Sequence, residues 1–265
     1  MSREDLKNER LGEVRKMHCG DYAKIIEYNN SLDCIVEFQD EYKYARHIDY
    51  WNFARGHIRN PYHKNIYGGY IGVGKYDMTE NRKGTYIYDA WIRMLERSKG
   101  IKFKKRYPAY KNVNCCDEWL CFQNFAEWYE QHYYTVDGYS MEVDKDWINF
   151  GNKIYCPEFC EVVPSIINSC IVTHGKIKNK HLPTGISKTP SNKFKARLSI
   201  EGKRIDLGSY TNLKDAANAY KTAKIDYIKS LAEQYQDKIP EIIYERMMTF
   251  DEIFERVYPE YAEIY

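Results

Sequence analysis

The chain has 265 residues, and its 40 lysines and arginines nearly balance its 38 aspartates and glutamates, so the formal net charge is only +2. A mean hydropathy of −0.71 leaves no stretch apolar enough to span a membrane, and the polar N-terminus has no apolar signal core. These features exclude a membrane-spanning protein and predict a soluble, cytoplasmic one, in which 43% apolar residues suffice for two or three small domains.

The small net charge conceals a strong segregation of charge along the chain. The net charge is about −1 up to Cys170, about +9 from Ile171 to Ala232, and about −6 from Glu233 to the end. The basic segment contains 13 lysines or arginines and four acids, so it is the first candidate for contact with a polyanion.

Residues 1–84 read as a small β-rich domain. Apolar residues recur in short runs at 23–28 and 34–38, separated by the turn-forming residues 29–31. The glycine-rich stretch 68–74 lacks the residue order of a phosphate-binding loop, which predicts an ordinary glycine loop or strand crossing.

Residues 85–173 form the predicted middle domain, which begins with a helical pattern. Tyr88, Trp91 and Leu95 recur at spacings of three and four. A stretch at 99–111 with six positive charges and no acid follows, and it favours equally a second nucleic-acid contact and a mobile loop. An aromatic pattern at 118–129 then predicts a second helix whose rings belong to the core.

Residues 174–232 contain the clearest pattern in the chain. Apolar residues alternate with cationic or hydroxyl side chains from 193 to 200, which predicts a strand with one apolar and one cationic face. A turn at Glu201 and Gly202 leads to a second strand from Lys203, and Thr211 or Asn212 can cap the alanine-rich helix that follows. The basic sheet face suits a DNA groove, while a solvated face without a ligand explains the alternation equally well.

This order of hairpin, glycine and alanine-rich helix resembles the ethylene-response-factor (APETALA-type) DNA-binding domain. The resemblance covers about 45 residues and rests on Gly185-Ile186 and the runs 193–198, 207–211 and 215–220. Phe194 stands where plant members usually have tryptophan. The family implies a three-stranded sheet that enters the major groove of double-stranded DNA, with a helix behind it. The DNA contacts it implies here are Lys188, Lys193, Lys195, Arg197, Lys203 and Arg204.

The middle domain resembles a domain common in phage-encoded proteins, and part of it is similar to a degenerate HNH, or His-Me finger, nuclease motif. The resemblance to the phage domain rests on Trp91, Met94, Leu95 and Arg97, on the run 116–125 and on the run 143–146. The resemblance to the nuclease motif rests on the run 143–146, on residues 151–153, on Cys160, and on residues 162–163 and 167–168. In that motif the candidate active-site residues are Asp144, Lys145, Asn152 and Asn168. Active members have a histidine as general base and bind a divalent metal.

Lys145 occupies the place of that histidine. A lysine with an ordinary pKa near 10.4 is protonated at neutral pH and cannot take a proton from water. The sequence therefore predicts a nuclease-like domain without catalytic residues and without a cofactor, and Mg²⁺ would be needed only if the site were active.

The eight cysteines and seven histidines do not form a recognisable metal motif. Cys115, Cys116 and Cys121 precede Cys156 and Cys160 without paired CxxC spacing, and no histidine is close in sequence. His47, His57, His63 and His132 fit no zinc-binding helical spacing. Buried thiols are therefore expected, with a structural zinc site as the alternative, and no metal ligand is assigned.

Residues 233–265 are predicted to be an acidic helical tail. Pro240 interrupts the helical pattern, and apolar residues then recur at three and four from Ile242 to Val257. Such a tail can dock on the protein's own core, or it can present an autoinhibitory or DNA-mimicking surface to a basic partner.

The expected fold class is α+β and multi-module, with the four segments 1–84, 85–173, 174–232 and 233–265. We expect a phage or mobile-element DNA-binding protein, a regulator or accessory factor without nuclease activity, in the cytoplasm of a bacterial host. Two alternatives remain: a phage anti-defence protein that inhibits a host nuclease complex or binds another protein partner, and an HNH-type homing endonuclease. No membrane partner is expected.

Overall fold

The computed structural model describes residues 3–171 and 182–264 of the chain. They divide into two compact units. Unit 1 runs up to Tyr88 and includes Asp117–Ala126, and unit 2 consists of Asp89–Cys116 and the chain from Glu127 onward. The predicted α+β, multi-module class is confirmed, since helices occur along the chain together with several small, mainly antiparallel sheets.

The elements are numbered in chain order. The helices are α1 (Arg3–Arg10), α2 (Tyr50–Ala54), α3 (Tyr86–Lys99), α4 (Ile101–Arg106), α5 (Phe122–His132), α6 (Ser165–Ile171), α7 (Leu213–Tyr235), α8 (Glu241–Met248) and α9 (Phe250–Val257). The strands are β1 (Val14–Lys16), β2 (Tyr22–Asn30), β3 (Asp33–Phe38), β4 (Ala45–Ile48), β5 (Thr79–Glu80), β6 (Lys83–Gly84), β7 (Asn114–Cys115), β8 (Met141–Asp144), β9 (Ile154–Tyr155), β10 (Glu161–Pro164), β11 (Ile186–Lys188), β12 (Phe194–Ile200) and β13 (Lys203–Tyr210).

Unit 1 is built on an antiparallel sheet in the order β1-β2-β3-β4. Alternate residues of β3, including Cys34, Val36 and Phe38, have no exposed surface and pack with Ile25 and Phe53 in one core. The alternation that predicted these strands therefore marks their buried face. The turn lies at residues 31–32, slightly later than predicted, and β5 and β6 form a separate short hairpin.

The middle segment of unit 2 contains a hairpin followed by a helix. β8 and β10 pair antiparallel, with Asp144 opposite Glu161, and the loop that connects them contains β9, which pairs in parallel with β7. α6 begins directly after β10 and buries Ile167. This β8–β10–α6 arrangement places the loop 145–160 beside the end of β8.

The predicted basic linker at 99–111 is largely helical. α4 covers Ile101–Arg106, and a 3-10 turn covers Pro108–Tyr110. Lys104 Nζ donates a hydrogen bond of 2.7 Å to the carbonyl oxygen of Val113, which ties the helix to the chain that follows. A short helix and a 3-10 turn thus stand where a loop was the alternative, and local helical hydrogen bonds satisfy these backbone groups. The second nucleic-acid contact stays a prediction.

The C-terminal half of unit 2 contains the antiparallel sheet β11-β12-β13 and the long helix α7. Asn212 caps α7 by accepting a hydrogen bond of 2.8 Å from the amide of Asp215. Ala196 and Leu198 of β12 are buried in one core with Ala216, Ala217 and other residues of α7. A Cβ atom at Gly185 would lie 2.1 Å from the ring of Tyr220, so only glycine permits this close approach.

The acidic tail docks on the protein's own core. α7 ends at Tyr235 and α8 begins at Glu241, after Pro240, as the sequence predicted. Ile243, Phe250 and Phe254 have no exposed surface and belong to the cluster that also contains Ala196 and Val163. The sheet β11-β12-β13, α6 and the tail therefore share one apolar core.

The predicted segments 85–173, 174–232 and 233–265 contribute to unit 2 together, and the four-part division into independent domains stays a prediction. In the described ranges, no helix combines the length and the apolar character that crossing a membrane requires.

Candidate nucleic-acid interface and the Asp144 pocket

The outer face of the sheet β11-β12-β13, the side opposite α7, carries three of the six predicted DNA contacts. Lys195 and Arg197 alternate along β12 with the buried Ala196 and Leu198. Arg204 of β13 joins them, because it lies opposite Ser199. Arg197 and Arg204 are exposed, whereas the Lys195 side chain is 24% exposed.

Asp206 is an acid on this outer face that sequence reasoning overlooked as a site residue. It lies opposite Arg197 in the strand register and forms an ion pair with Lys195. The hydrogen bond from Lys195, followed by one from the Gly208 amide, lowers the pKa of the Asp206 carboxyl. The two-residue turn at Glu201 and Gly202 is the signal that could have revealed this pairing, since turn length sets the register.

The other three predicted contacts lie at the margins of the sheet. Lys193 is exposed and directly precedes β12. Lys188 lies opposite Phe194, with Nζ 5.4 Å from the ring centroid and 3.0 Å from Oδ1 of Asn192. Lys203 lies beside the turn, opposite Ile200. By the strand register, Lys188 and Lys203 thus lie on the side of the sheet that faces α7, because their partners Phe194 and Ile200 pack against the core.

Several cations of the basic segment are engaged inside the protein. Lys221 and Lys229 of α7 form ion pairs of 2.9 and 2.7 Å with Glu255 and Asp251 of the tail. Lys224 is buried, and its desolvation lowers its pKa. The structure thus brings these tail acids to α7. Lys176, Lys178 and Lys180 lie outside the described residues.

The second candidate site is the loop after β8, where Asp144 is buried. Its Oδ1 accepts hydrogen bonds of 2.8 Å from the backbone amides of Asp146 and Trp147. Burial, with a further contribution from the charge of Asp146, raises the pKa of the Asp144 carboxyl to about 6. Desolvation disfavours the charged carboxylate more than the two amides favour it.

Lys145 and Asn152 are used within the same loop. Lys145 is buried, and its Nζ lies 2.6 Å from Oδ2 of Asp146. The Asn152 amide donates a 2.7 Å hydrogen bond to the Ile154 carbonyl and a 3.3 Å bond to that of Lys145, and its Oδ1 accepts a 3.1 Å bond from the Ile154 amide. The Asn152 side chain therefore holds the loop backbone in place.

Asn168 lies on α6 and donates its side-chain amide to Oε2 of Glu142 on β8. Asp144, Lys145 and Asn168 line one pocket of about 370 Å³, together with Asp146 and Arg97. The structure thus brings three of the four nuclease-like candidates to one pocket. In the described part of the chain, no group of three mutually close metal-ligand atoms from His, Cys, Asp or Glu forms around Asp144.

All eight cysteines lie in the described ranges, and none forms a disulfide there. Six of them are buried, and Cys19 and Cys116 are half-buried. A different cluster does bring together potential metal ligands: one ligand atom each of Cys19, Asp21 and His63 lies within 4.8 Å of the others. Sequence reasoning missed it, because His63 is far from Cys19 and Asp21 along the chain.

Comparison with known proteins adds no relative: the chain matches no family model, and no curated protein or solved structure is significantly similar to it.

Proposed function

We propose that the protein binds double-stranded DNA through the outer face of the sheet β11-β12-β13. The observation that carries this proposal is the presence of Lys195, Arg197 and Arg204 on one face of a sheet whose opposite face is buried against α7. Neutralisation of phosphates by such side chains releases condensed counterions and supplies most of the affinity in DNA binding.

The shape of this face supports the same conclusion. The major groove of B-DNA is about 12 Å wide and admits a two-stranded β-ribbon, and β12 and β13 form such a ribbon. Arg197 and Arg204 can contact phosphates or the acceptor edge of guanine, while Lys193, which directly precedes β12, can reach the flanking backbone. Below this face, β12 and α7 share one buried apolar core.

The role we propose is that of a phage or mobile-element DNA-binding factor that does not cut its target. Lys145, in the place of the general base, lies against Asp146, and Asn152 is bonded to its own loop. These contacts favour a structural loop over a hydrolytic site. The anti-defence and homing-endonuclease alternatives stay hypotheses without a specific supporting contact.

The first test is a DNA mobility shift over a series of salt concentrations. The double variant Arg197→Ala/Arg204→Ala should bind more weakly, and its negative slope of log affinity against log salt should become shallower by about one unit for each phosphate that the variant no longer neutralises. Arg246→Ala is the matched control, since Arg246 is an exposed arginine on α8 rather than on the sheet. Unchanged affinity and slope in the double variant would refute the proposal.

A second variant tests the same face in the opposite direction. Asp206→Asn removes the acid that pairs with Lys195, so DNA affinity should rise. Asp237→Asn, an exposed acid of the 3-10 turn after α7, should have a smaller effect. If both substitutions change the affinity equally, the effect comes from net charge and not from this face.

A plasmid assay with Mg²⁺ or Mn²⁺ tests for cleavage. We expect no nicking by purified wild-type protein. Metal-dependent nicking that disappears in Asp144→Ala would instead support the endonuclease alternative.

A further inference from the structure

Unit 1 contains a cluster of three side chains whose donor atoms suit a transition metal. The thiol of Cys19, the carboxylate of Asp21 and the imidazole of His63 place one ligand atom each within 4.8 Å of one another. All three side chains are accessible to solvent, since Cys19 and Asp21 are half-buried and His63 is exposed. A metal ion can therefore enter from solution without unfolding the unit.

The backbone around the cluster is held by hydrogen bonds. The Met17 amide donates a 2.7 Å bond to the Asp21 carbonyl, and the Gly20 amide donates a 2.9 Å bond to the Met17 carbonyl. These bonds close a tight turn, in which Gly20 has a φ of +103°. Cys19 and Asp21 thus belong to the same tight turn, on either side of Gly20.

A buried asparagine also holds the Asp21 carboxylate in place. Asn60 is 5% exposed, and its amide donates hydrogen bonds of 2.8 Å to Oδ2 of Asp21 and 2.6 Å to Oδ2 of Asp40. The backbone carbonyl of Asn60 also accepts a 3.2 Å hydrogen bond from the backbone amide of His63. Asn60 thus fixes Asp21 and the turn that carries His63, as outer-shell partners of a metal site do.

We propose that Cys19, Asp21 and His63 form a zinc-binding site. Zinc prefers thiolate, imidazole and carboxylate ligands in a tetrahedron, with ligand atoms about 3.4–3.7 Å apart, so the cluster needs to contract by only about 1 Å. Calcium and magnesium are disfavoured, because they prefer oxygen ligands alone. On binding, the thiol releases its proton to solvent and the imidazole binds in its neutral form.

The site leaves the fourth coordination position to water. Cys19 and His63 line a cavity of about 610 Å³, and His18, His57 and Tyr70 also line it. The rings of His18 and His57 pack edge to face at 4.8 Å. A zinc site with three protein ligands has a fourth position that water or an exogenous ligand can take.

The ordinary alternative is a hydrogen bond between two of the side chains, because Nδ1 of His63 lies 3.0 Å from Oδ1 of Asp21. Unit 1 provides its own control for this alternative. His47 makes a similar contact of 3.2 Å with Asp33, without a cysteine in the group. A test must therefore separate metal binding from the hydrogen bond.

The test is a titration of the full-length, metal-free protein with Co²⁺ followed by displacement with Zn²⁺. Wild type should show the visible bands of tetrahedral cobalt and a sulfur-to-cobalt charge-transfer band, both of which disappear on addition of zinc. Cys19→Ser should lose the charge-transfer band, and His63→Ala should weaken cobalt binding about tenfold or more. His47→Ala and Cys116→Ser should behave as wild type.

A measurement on unmodified protein guards against variants that fail to fold. Zinc should slow alkylation of Cys19 by at least about tenfold, whereas the alkylation rate of Cys116 should not change. Peptide mass spectrometry measures both rates. The proposal is overturned if wild type shows no cobalt bands and no protection of Cys19, or if the charge-transfer band persists in folded Cys19→Ser.

Discussion

The outer face of the sheet β11-β12-β13 and the loop after β8 hold charged side chains in opposite ways. On the sheet, Arg197 and Arg204 are exposed and can turn toward a ligand. In the loop, Asp144 and Lys145 are buried, and their polar groups bond to the loop itself or to Asp146. These two arginines of the sheet are thus solvated, whereas the charges in the loop serve the fold and lose solvation in doing so.

The two regions nevertheless rest on one core. Val163 and Ile167 of β10 and α6, Leu198 of β12, and Phe254 of α9 belong to the same buried cluster. A substitution in that core should disturb both regions, and a substitution at either surface should disturb one. Substitutions at the three places can therefore test whether the two regions differ as described.

The largest effect is expected in the shared core. Phe254 has no exposed surface and packs edge to face with Phe250 and Tyr261. Phe254→Ala should lower the free energy of unfolding by about 3–5 kcal/mol, measured by urea denaturation. Glu252→Ala, an exposed neighbour, should change it by less than about 0.5 kcal/mol.

Truncation after Ala232 tests the same core more severely. It removes Phe250, Phe254 and Ile243 from the core of unit 2, so this unit should lose its fold, and circular dichroism should show this. If the tail instead only competes with DNA for the basic face, the truncated protein should stay folded and bind DNA more tightly.

The next effect concerns the buried carboxyl of the loop. The folded protein holds the pKa of Asp144 at about 6, above its ordinary value of 3.8, so the folded state favours the protonated form. The resulting stabilisation is complete below about pH 4 and is lost as the pH rises through 6, with a total of up to about 3 kcal/mol. Asp144→Asn keeps the Oδ1 acceptor without titrating.

The stability of wild type relative to Asp144→Asn should therefore fall between pH 4 and 7. Urea denaturation at a series of pH values measures this difference, in which the other titrating groups cancel. A difference that does not change with pH would show that the carboxyl is solvated in solution.

A smaller effect is expected at Asn152. Its side chain makes three hydrogen bonds to the loop backbone, so Asn152→Ala should cost about 1–3 kcal/mol. Asn149→Ala in the same loop is the control, because Asn149 is exposed. Equal stabilities of the two variants would mean that the loop does not depend on Asn152.

The smallest change in stability is expected on the sheet. Arg197→Ala/Arg204→Ala should change the free energy of unfolding by no more than about 0.5 kcal/mol while weakening DNA binding. A large loss of stability would mean that these cations serve the fold, as the charges of the loop do.

Local patterns were sufficient to predict the elements that depend on neighbouring residues. The alternation along β12, the cap at Asn212 and the break at Pro240 all recur in the structure. Each of them follows from the period of side chains along the backbone, from a side chain that reaches a nearby amide, or from a residue without an amide hydrogen. The predicted DNA contacts and the nuclease-like resemblance remain predictions.

The sequence alone determined the α+β class, the basic hairpin and the acidic amphipathic tail, because these follow from periodicity and charge. Only the tertiary structure decided that Lys224 is buried, that Lys221 and Lys229 pair with the tail, and that His63 meets Cys19 and Asp21. These contacts join residues distant along the chain, and their geometry depends on how the elements pack. Packing is cooperative over the whole core, so no local pattern encodes it.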